Sequence, residues 1–289
     1  MKVLLFGPSG QLGSTLRQRV PAGVELMAIP QQDLDLGESS AVRAAVRRLN
    51  PTLVINAAAY TQVDRAETDR EAAFQINADA PRAMAEAVAG LGTRLIHVST
   101  DFVFDGERPV PWAVDATPRP LNVYGESKLA GERAVLEVLG PGATVVRTSW
   151  LYAAQGHNFV RTMLNLMRSR ESLDVVADQV GTPTWAASLA RVVWDIAQRA
   201  DIVGIQHWSD EGVASWYDFA IAIQEESLAR GLLDRAIPVR AIPAADYPTP
   251  ARRPRYSVLD KRHTVAALGY APPHWRVSLR NMLDELAAT

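Results

Sequence analysis

A short apolar run, Val3-Leu4-Leu5-Phe6, stops at Gly7-Pro8-Ser9-Gly10-Gln11-Leu12-Gly13 and opens into a helical pattern from Gln11 to about Val20. A continuous apolar run suits a strand covered on both faces, and such a strand requires helices on either side of a parallel sheet. The unit recurs. Strands are expected at residues 24–29, 53–57, 94–99 and 144–147, alternating with helices at 38–49, 71–90 and 123–139. This rhythm predicts an α/β fold: a doubly wound parallel sheet with right-handed crossovers.

After Trp150 the rhythm changes. Helices are expected at 158–168, 185–199 and 215–230, the last capped by Ser215, with one strand at 173–176. Pro238, Pro243, Pro248, Pro250 and Pro254 predict a loop over a surface. We therefore expect residues 1–150 to bind a nucleotide. Residues 151–289 are expected to form mainly a smaller substrate-binding α/β part, some of it packing back onto the sheet.

The net charge of −2 and scattered basic residues point away from nucleic acid and anionic membranes as partners. Without cysteine there is no disulfide, thiol nucleophile or Cys-held metal. His97, His157, His207, His263 and His274 lack metal-ligand spacing, so no metal site is expected. No apolar stretch nears the ~18 residues of a membrane span, and residues 1–7 are too soon broken for a signal peptide. A soluble cytoplasmic protein is the expectation.

Gly7, Gly10 and Gly13 give G-x-x-G-x-x-G between a strand and a helix. Glycines there allow a tight turn and the close approach of a phosphate, while the helix N-terminus presents free amides. The spacing is not that of a Walker loop. The second strand leads into Pro30-Gln31-Gln32, with neither an acid that would favour NAD nor an arginine that would hold a 2′-phosphate. NADH and NADPH both stay open as cofactors. Asp35-Leu36 either edges the adenine or caps the next helix.

Tyr124 and Lys128 stand four residues apart, on one face of a helix. An ammonium near a phenol favours the phenolate, so Lys128 is expected to lower the Tyr124 pKa from about 10 and make it a proton donor to a carbonyl under reduction. Ser99-Thr100-Asp101 ends the fourth strand, where ligands of such sheets sit. Alone, these residues read as a turn cap. With Tyr124 and Lys128 on the next helix, a hydroxyl aimed at the substrate carbonyl is the stronger reading.

These residues, with Asn56-Ala57-Ala58-Ala59, resemble the extended short-chain dehydrogenase/reductases. Finer wording resembles one branch, the dTDP-4-dehydrorhamnose reductases. It runs through Val103-Phe104-Asp105-Gly106, Pro120-Leu121-Asn122-Val123-Tyr124-Gly125, Lys128-Leu129-Ala130-Gly131-Glu132 and Arg147-Thr148-Ser149-Trp150-Leu151-Tyr152. It continues in Asp178-Gln179-x-Gly181-x-Pro183-Thr184 and Thr249-Pro250-Ala251-x-Arg253-Pro254.

The resemblance implies a Rossmann-type fold, a nicotinamide cofactor and a dTDP-sugar substrate. It implies that Gly10, Gln11 and Leu12 contact the cofactor diphosphate, Asp35 and Leu36 the adenosine, and Ala59, Tyr60 and Thr61 the ribose region. Lys128 would hold the nicotinamide ribose and polarise Tyr124. Thr100 and Asp101 would meet the sugar, with Trp150 as an apolar wall; by residue type alone Trp150 reads as core. Arg253, in Arg252-Arg253-Pro254-Arg255, either clamps the substrate diphosphate or belongs to a solvated basic loop. Related dehydratases carry Thr-Asp-Glu after the fourth strand. Phe102 stands in place of that glutamate and carries no proton, which disfavours dehydration. Some members of the branch dimerise around Mg²⁺ through glutamates, one just after the glycine loop; Ser14-Thr15 occupies that stretch here. A monomer or a homodimer is expected. Two alternatives stand beside the reductase: an enzyme for another dTDP-keto-deoxysugar, and a noncatalytic regulatory subunit with the same fold.

Overall fold

The computed structural model describes residues 1–288. Along the first half run β1 (Lys2–Phe6), α1 (Gln11–Gln18), β2 (Glu25–Ile29), α2 (Ser39–Leu49), β3 (Leu53–Asn56), α3 (Val63–Ala66), α4 (Arg70–Phe74), α5 (Ala80–Val88), β4 (Arg94–Thr100), α6 (Val123–Leu139) and β5 (Thr144–Thr148). There follow β6 (Leu151–Tyr152), α7 (Phe159–Ser169), β7 (Leu173–Val176), β8 (Val180–Gly181), β9 (Thr184–Trp185) and α8 (Ala186–Gln198). The last elements are β10 (Gly204–His207), β11 (Ala214–Ser215), α9 (Trp216–Leu228), β12 (Val239–Ile242), α10 (Arg262–Leu268) and α11 (Trp275–Ala287). No helix among the described residues is long and apolar enough to cross a membrane.

Among the described residues the main sheet has six parallel strands in the order β10-β5-β4-β3-β1-β2. Both faces are covered, as the apolar runs require. Val3 and Leu5 point into a cluster with Leu12 and Leu16 of α1 and Leu189, Val193 and Trp194 of α8. Leu4 and Phe6 point the other way, onto Val42 and Val46 of α2, Met84 of α5 and Val135 of α6. A third cluster, with Phe219, Met163, Leu279 and Leu283, holds α7, α9 and α11 together.

The chain does not divide cleanly at residue 150. α8 packs on the sheet, and β10 pairs with β5 from Gly204↔Thr144 to His207↔Arg147 as an edge strand absent from the sequence reading. The expected helix at 71–90 is three pieces: α4, a π-helical stretch at Gln75–Asp79, and α5, which begins at Ala80-Pro81. Part of the expected proline loop is β12, paired with β7. Ser215 does cap α9, in a capping box with Asp218.

Arg147 and Glu132, each 1% exposed, form a bidentate pair between β5 and α6: Nε–Oε1 is 2.9 Å and Nη2–Oε2 2.6 Å. The guanidinium also lies over the Phe104 ring and meets His207 Nε2 at 3.3 Å. Removing one partner of such a pair leaves an uncompensated buried charge. Arg147→Met is expected to cost about 3–5 kcal/mol in urea unfolding. Arg147→Met combined with Glu132→Leu should recover most of that loss, and failure to recover would show that packing rather than charge holds α6 to β5.

Candidate active site

A cleft of about 740 Å³ opens at the carboxyl ends of β1, β3, β4 and β5. It is lined by Gly7, Gly10, Gln11, Leu12, Asp35, Leu36, Ala59, Tyr60, Thr61, Thr100, Asp101, Tyr124, Lys128 and Trp150, so the fold gathers most of the residues singled out in the sequence. Gly13 lies behind this surface, and Arg253 is not among the lining residues. A second cavity of about 480 Å³, lined by Arg19, Trp185, Arg191 and Tyr270 among others, holds none of them.

The glycine turn is built by backbone proximity. Gly7 has φ +75°, and a Cβ there would lie 2.6 Å from Ala58 Cα. A Cβ on Gly13 would lie 1.9 Å from Gly7 O. Both positions exclude a side chain, which seats α1 tightly against β1 and β3. Gly10 caps α1 without a side-chain acceptor, so the first-turn amides face the cleft mouth, as an anionic group requires. The Ser14 and Thr15 hydroxyls turn back onto Gln11 O. Asp35 accepts from Gly37 N at 2.8 Å in a local turn, while α2 is capped at Glu38; Asp35 is therefore not the helix cap.

The strip Ala57–Thr61 after β3 is held from below. Asn56 Oδ1 accepts from Ala58 N. Asn77, fully buried in the π-helical stretch, accepts from Tyr60 N (2.9 Å) and donates to Tyr60 O (3.0 Å) and to Ser127 Oγ (3.0 Å). Nothing in the residue pattern singled out Asn77, because an amide in a helical run carries no signal until the π turn aims it.

Tyr124 reaches β4 because Gly125 lets α6 start close by: a Cβ on Gly125 would lie 2.3 Å from Phe102 O. Asn122 caps the helix, accepting from Gly125 N at 2.8 Å, and donates to Arg252 O at 2.7 Å. The Tyr124 phenol lies close enough to the Thr100 hydroxyl to feel its polarity, and the Phe102 ring packs edge-on against the phenol ring. Thr100 Oγ1 accepts from Phe102 N and donates to Asp101 Oδ1 at 3.1 Å.

The electrostatics correct the expectation that Lys128 lowers the Tyr124 pKa. Burial pushes the phenol up to about 12, countered by the Thr100 hydroxyl and reinforced by the nearby Asp101 charge. Burial also brings Lys128 down to about 8, against the opposing pull of Glu132. Its Nζ donates to Val98 O at 2.8 Å, so the ammonium is directed at the strand. Tyr124 is thus a neutral phenol at neutral pH, the form that donates a proton. Burial lifts the Asp101 carboxyl to about 7, opposed by Ser257, Thr100 and nearby backbone amides.

Trp150 is half-buried and lines the cleft, with left-handed φ +45°. Its ring stacks on Trp216 at 3.5 Å and 4°, and Trp216 Nε1 donates to Gln179 Oε1. Gly181 makes room, since a Cβ there would lie 2.5 Å from the Trp150 ring. Arg253 pairs with Asp64 (2.7 Å) and donates to Thr249 Oγ1 and Ala251 O, which ties the 249–255 loop to α3. Gln11, Ser99, Asp101 and Thr148 line the cleft, and each carries a buried side-chain oxygen without a close hydrogen-bond partner. The open first-turn amides of α1 behind the glycine turn fit the anionic diphosphate of a dinucleotide.

The model of the RmlD substrate binding domain matches residues 1–288. The chain belongs to this family. A dTDP-4-dehydrorhamnose reductase of Sinorhizobium fredii is 41% identical, with 98% of this chain and 97% of that protein covered. The crystal structure of a dTDP-4-dehydrorhamnose reductase from Clostridium acetobutylicum superposes with a TM-score of 0.92 at 38% identity, covering 99% of each chain. The Bacillus anthracis reductase, solved in complex with NADP, gives a TM-score of 0.91 at 34% identity over 98% of this chain and 99% of that one. In this RmlD-family chain the site carries a pH signature of its own. The folded Asp101 carboxyl titrates above its unfolded value, so its contribution to stability is lost as pH rises from 3.8 to about 7. Whatever the other groups do, the urea midpoint of Asp101→Asn relative to wild type should therefore rise across that window. A difference independent of pH would mean that the carboxyl ionises as freely folded as unfolded.

Proposed function

We propose that this protein reduces the keto carbon of dTDP-4-dehydro-6-deoxy-L-mannose (dTDP-4-dehydro-β-L-rhamnose) to give dTDP-L-rhamnose. The observation that carries the reading is the Tyr124–Thr100 pair at the end of β4, facing the cleft that the glycine turn bounds. It stands in a chain whose full-length relatives are reductases of this substrate. A nicotinamide bound along the β1 turn would supply hydride. Tyr124 gives its proton to the oxygen that becomes a hydroxyl, and Thr100 hydrogen-bonds the same oxygen. Lys128 holds the ribose side, and Trp150 closes the sugar from the far wall.

The binding energy is directed at orientation, since holding the reacting atoms at about 3–3.5 Å supplies much of the rate. Phe102 supports reduction over dehydration: it packs on the Tyr124 ring where a second acid would be needed. At the adenosine end Ile29 and Gln31 line the cleft beside Asp35, whose carboxylate accepts from Gly37 N, and no arginine is among the lining residues to hold a 2′-phosphate. The assay is therefore run with NADPH and NADH separately. We place the reaction in the cytoplasm and the enzyme as a monomer or homodimer.

Following cofactor absorbance with the keto-sugar nucleotide, turnover coupled to dTDP-rhamnose is the expected result; cofactor binding without turnover would defeat the reading. Tyr124→Phe should cut kcat by about 10²–10⁴-fold and leave cofactor affinity unchanged, because only the positioned acid is lost. Unaltered kcat would remove Tyr124 from the proton donor's place.

A further inference from the structure

Asp178-Gln179-x-Gly181 is a motif of the sequence that the proposed reaction leaves without a task. In the fold it lies against Trp150. That residue stands in left-handed backbone, φ +45°, a conformation disfavoured for a bulky side chain. Contacts to the main chain hold it there. Ser149 Oγ donates to Thr182 O at 2.7 Å, and Thr184 N donates to Trp150 O at 3.2 Å. These contacts fix the backbone and leave the aim of the indole to its packing. Strained positions kept by their surroundings concentrate at ligand sites.

The packing partner is Trp216. The two ring centroids are 3.5 Å apart and the planes 4° from parallel. Trp150 lines the cleft, and Trp216 does not. Trp216 is itself fixed by three contacts. Its Nε1 donates to Gln179 Oε1 at 3.2 Å. The ring of Phe159, the first residue of α7, packs against it at 4.7 Å and 48°. Its main chain opens α9 directly after Ser215, which sits in the capping box with Asp218 and pairs with Val180 of β8. β8 also carries Gly181, whose missing Cβ leaves room for the Trp150 ring. Gln179 and Gly181 thus serve one arrangement: the first holds Trp216, the second admits Trp150.

Resting on the reductase reading, we propose that Trp216 is a positioning residue for the sugar. It acts through Trp150, setting the plane of the indole that the deoxysugar meets. A flat indole matches the apolar C–H face of a sugar ring and the methyl group of a 6-deoxysugar, and its value depends on the orientation of that plane. A wall held in place before the ligand arrives removes the cost of ordering it on binding.

The test is a double-mutant cycle read in KM for the keto-sugar nucleotide, with kcat and the Kd for NADPH and NADH measured beside it. Trp216→Leu should raise KM roughly 5–10-fold, the scale of ordering one large side chain. The fall in kcat should be far smaller, and cofactor affinity should match wild type. Trp216→Phe, which keeps a ring against Trp150, should recover most of the loss. In a Trp150→Leu background, Trp216→Leu should add nothing to KM, because the residue through which it acts is gone. An unchanged KM, a Phe variant no better than Leu, or KM effects that multiply would each overturn the proposal. So would a loss of kcat and cofactor affinity at constant KM, the mark of a structural role alone. A second readout needs no turnover. In the ligand-free protein, the urea-midpoint shift of the double variant should be smaller than the sum of the single shifts, since the indoles hold each other. Additive shifts would overturn the proposal too. Absence of wild-type turnover would instead defeat the reductase reading and the sugar role with it, while the urea cycle would still decide whether the pair is coupled.

Discussion

The ion pair between Arg147 and Glu132 is the constraint on which the site rests. It joins the strand whose end carries Trp150 to the helix that carries Tyr124 and Lys128, and both partners are almost wholly withdrawn from water. Two desolvated charges seldom add stability over an apolar filling of the same volume. What they supply is direction: a bidentate guanidinium–carboxylate geometry is satisfied in one register, and a set of leucines would tolerate several. Glu132 lies one turn beyond Lys128, so the charge that fixes the helix also favours the ammonium of Lys128 against burial. The Phe104 and His207 rings complete the enclosure, and burial holds His207 neutral, at about 3.

The second constraint is steric. Gly7, Gly13 and Gly125 each stand where another backbone passes within the reach of a Cβ. Two of these approaches form the glycine turn at the cleft; the third brings the phenol to the end of β4. The cleft is thus a place where main chains come close, and side chains finish it. Trp150 is the exception, a bulky residue in left-handed conformation, a geometry that costs of order 1–3 kcal/mol and persists because Trp216 and Gly181 fix its ring.

Much of this was legible in the residues. Apolar runs two-sidedly buried gave β1, β3, β4 and β5 within a residue or so, and turn chemistry placed α6 and the Ser215 cap. Strand ends in such sheets converge, which pointed to Thr100 and Asp101, whereas Asp35, Leu36, Ala59, Tyr60, Thr61 and Trp150 were named from the family resemblance. What escaped reading depended on partners distant in sequence. β10 is only four residues long and gains its place from pairing with β5. Asn77 acts through a π turn that helical periodicity conceals. The Tyr124–Lys128 spacing led to the expectation of a lowered phenol pKa, which fails because spacing does not show how deeply the phenol is buried, and burial pushes it up. Arg253 was legible as a cation, but not as the partner of Asp64, 189 residues earlier in the chain.

The return of β10 to the sheet bears on how such a protein can change over time. A strand from the second half forms the edge of the sheet in the first, and α8 covers its face, so the two halves are interleaved and cannot be exchanged as cassettes. A recombinant that took its latter half from a relative would need the β5–β10 register and the α8 packing to match before it folded. Changes in the lining of the cleft are then more accessible through point substitutions than by shuffling. That favours gradual drift in specificity while the nucleotide scaffold stays fixed.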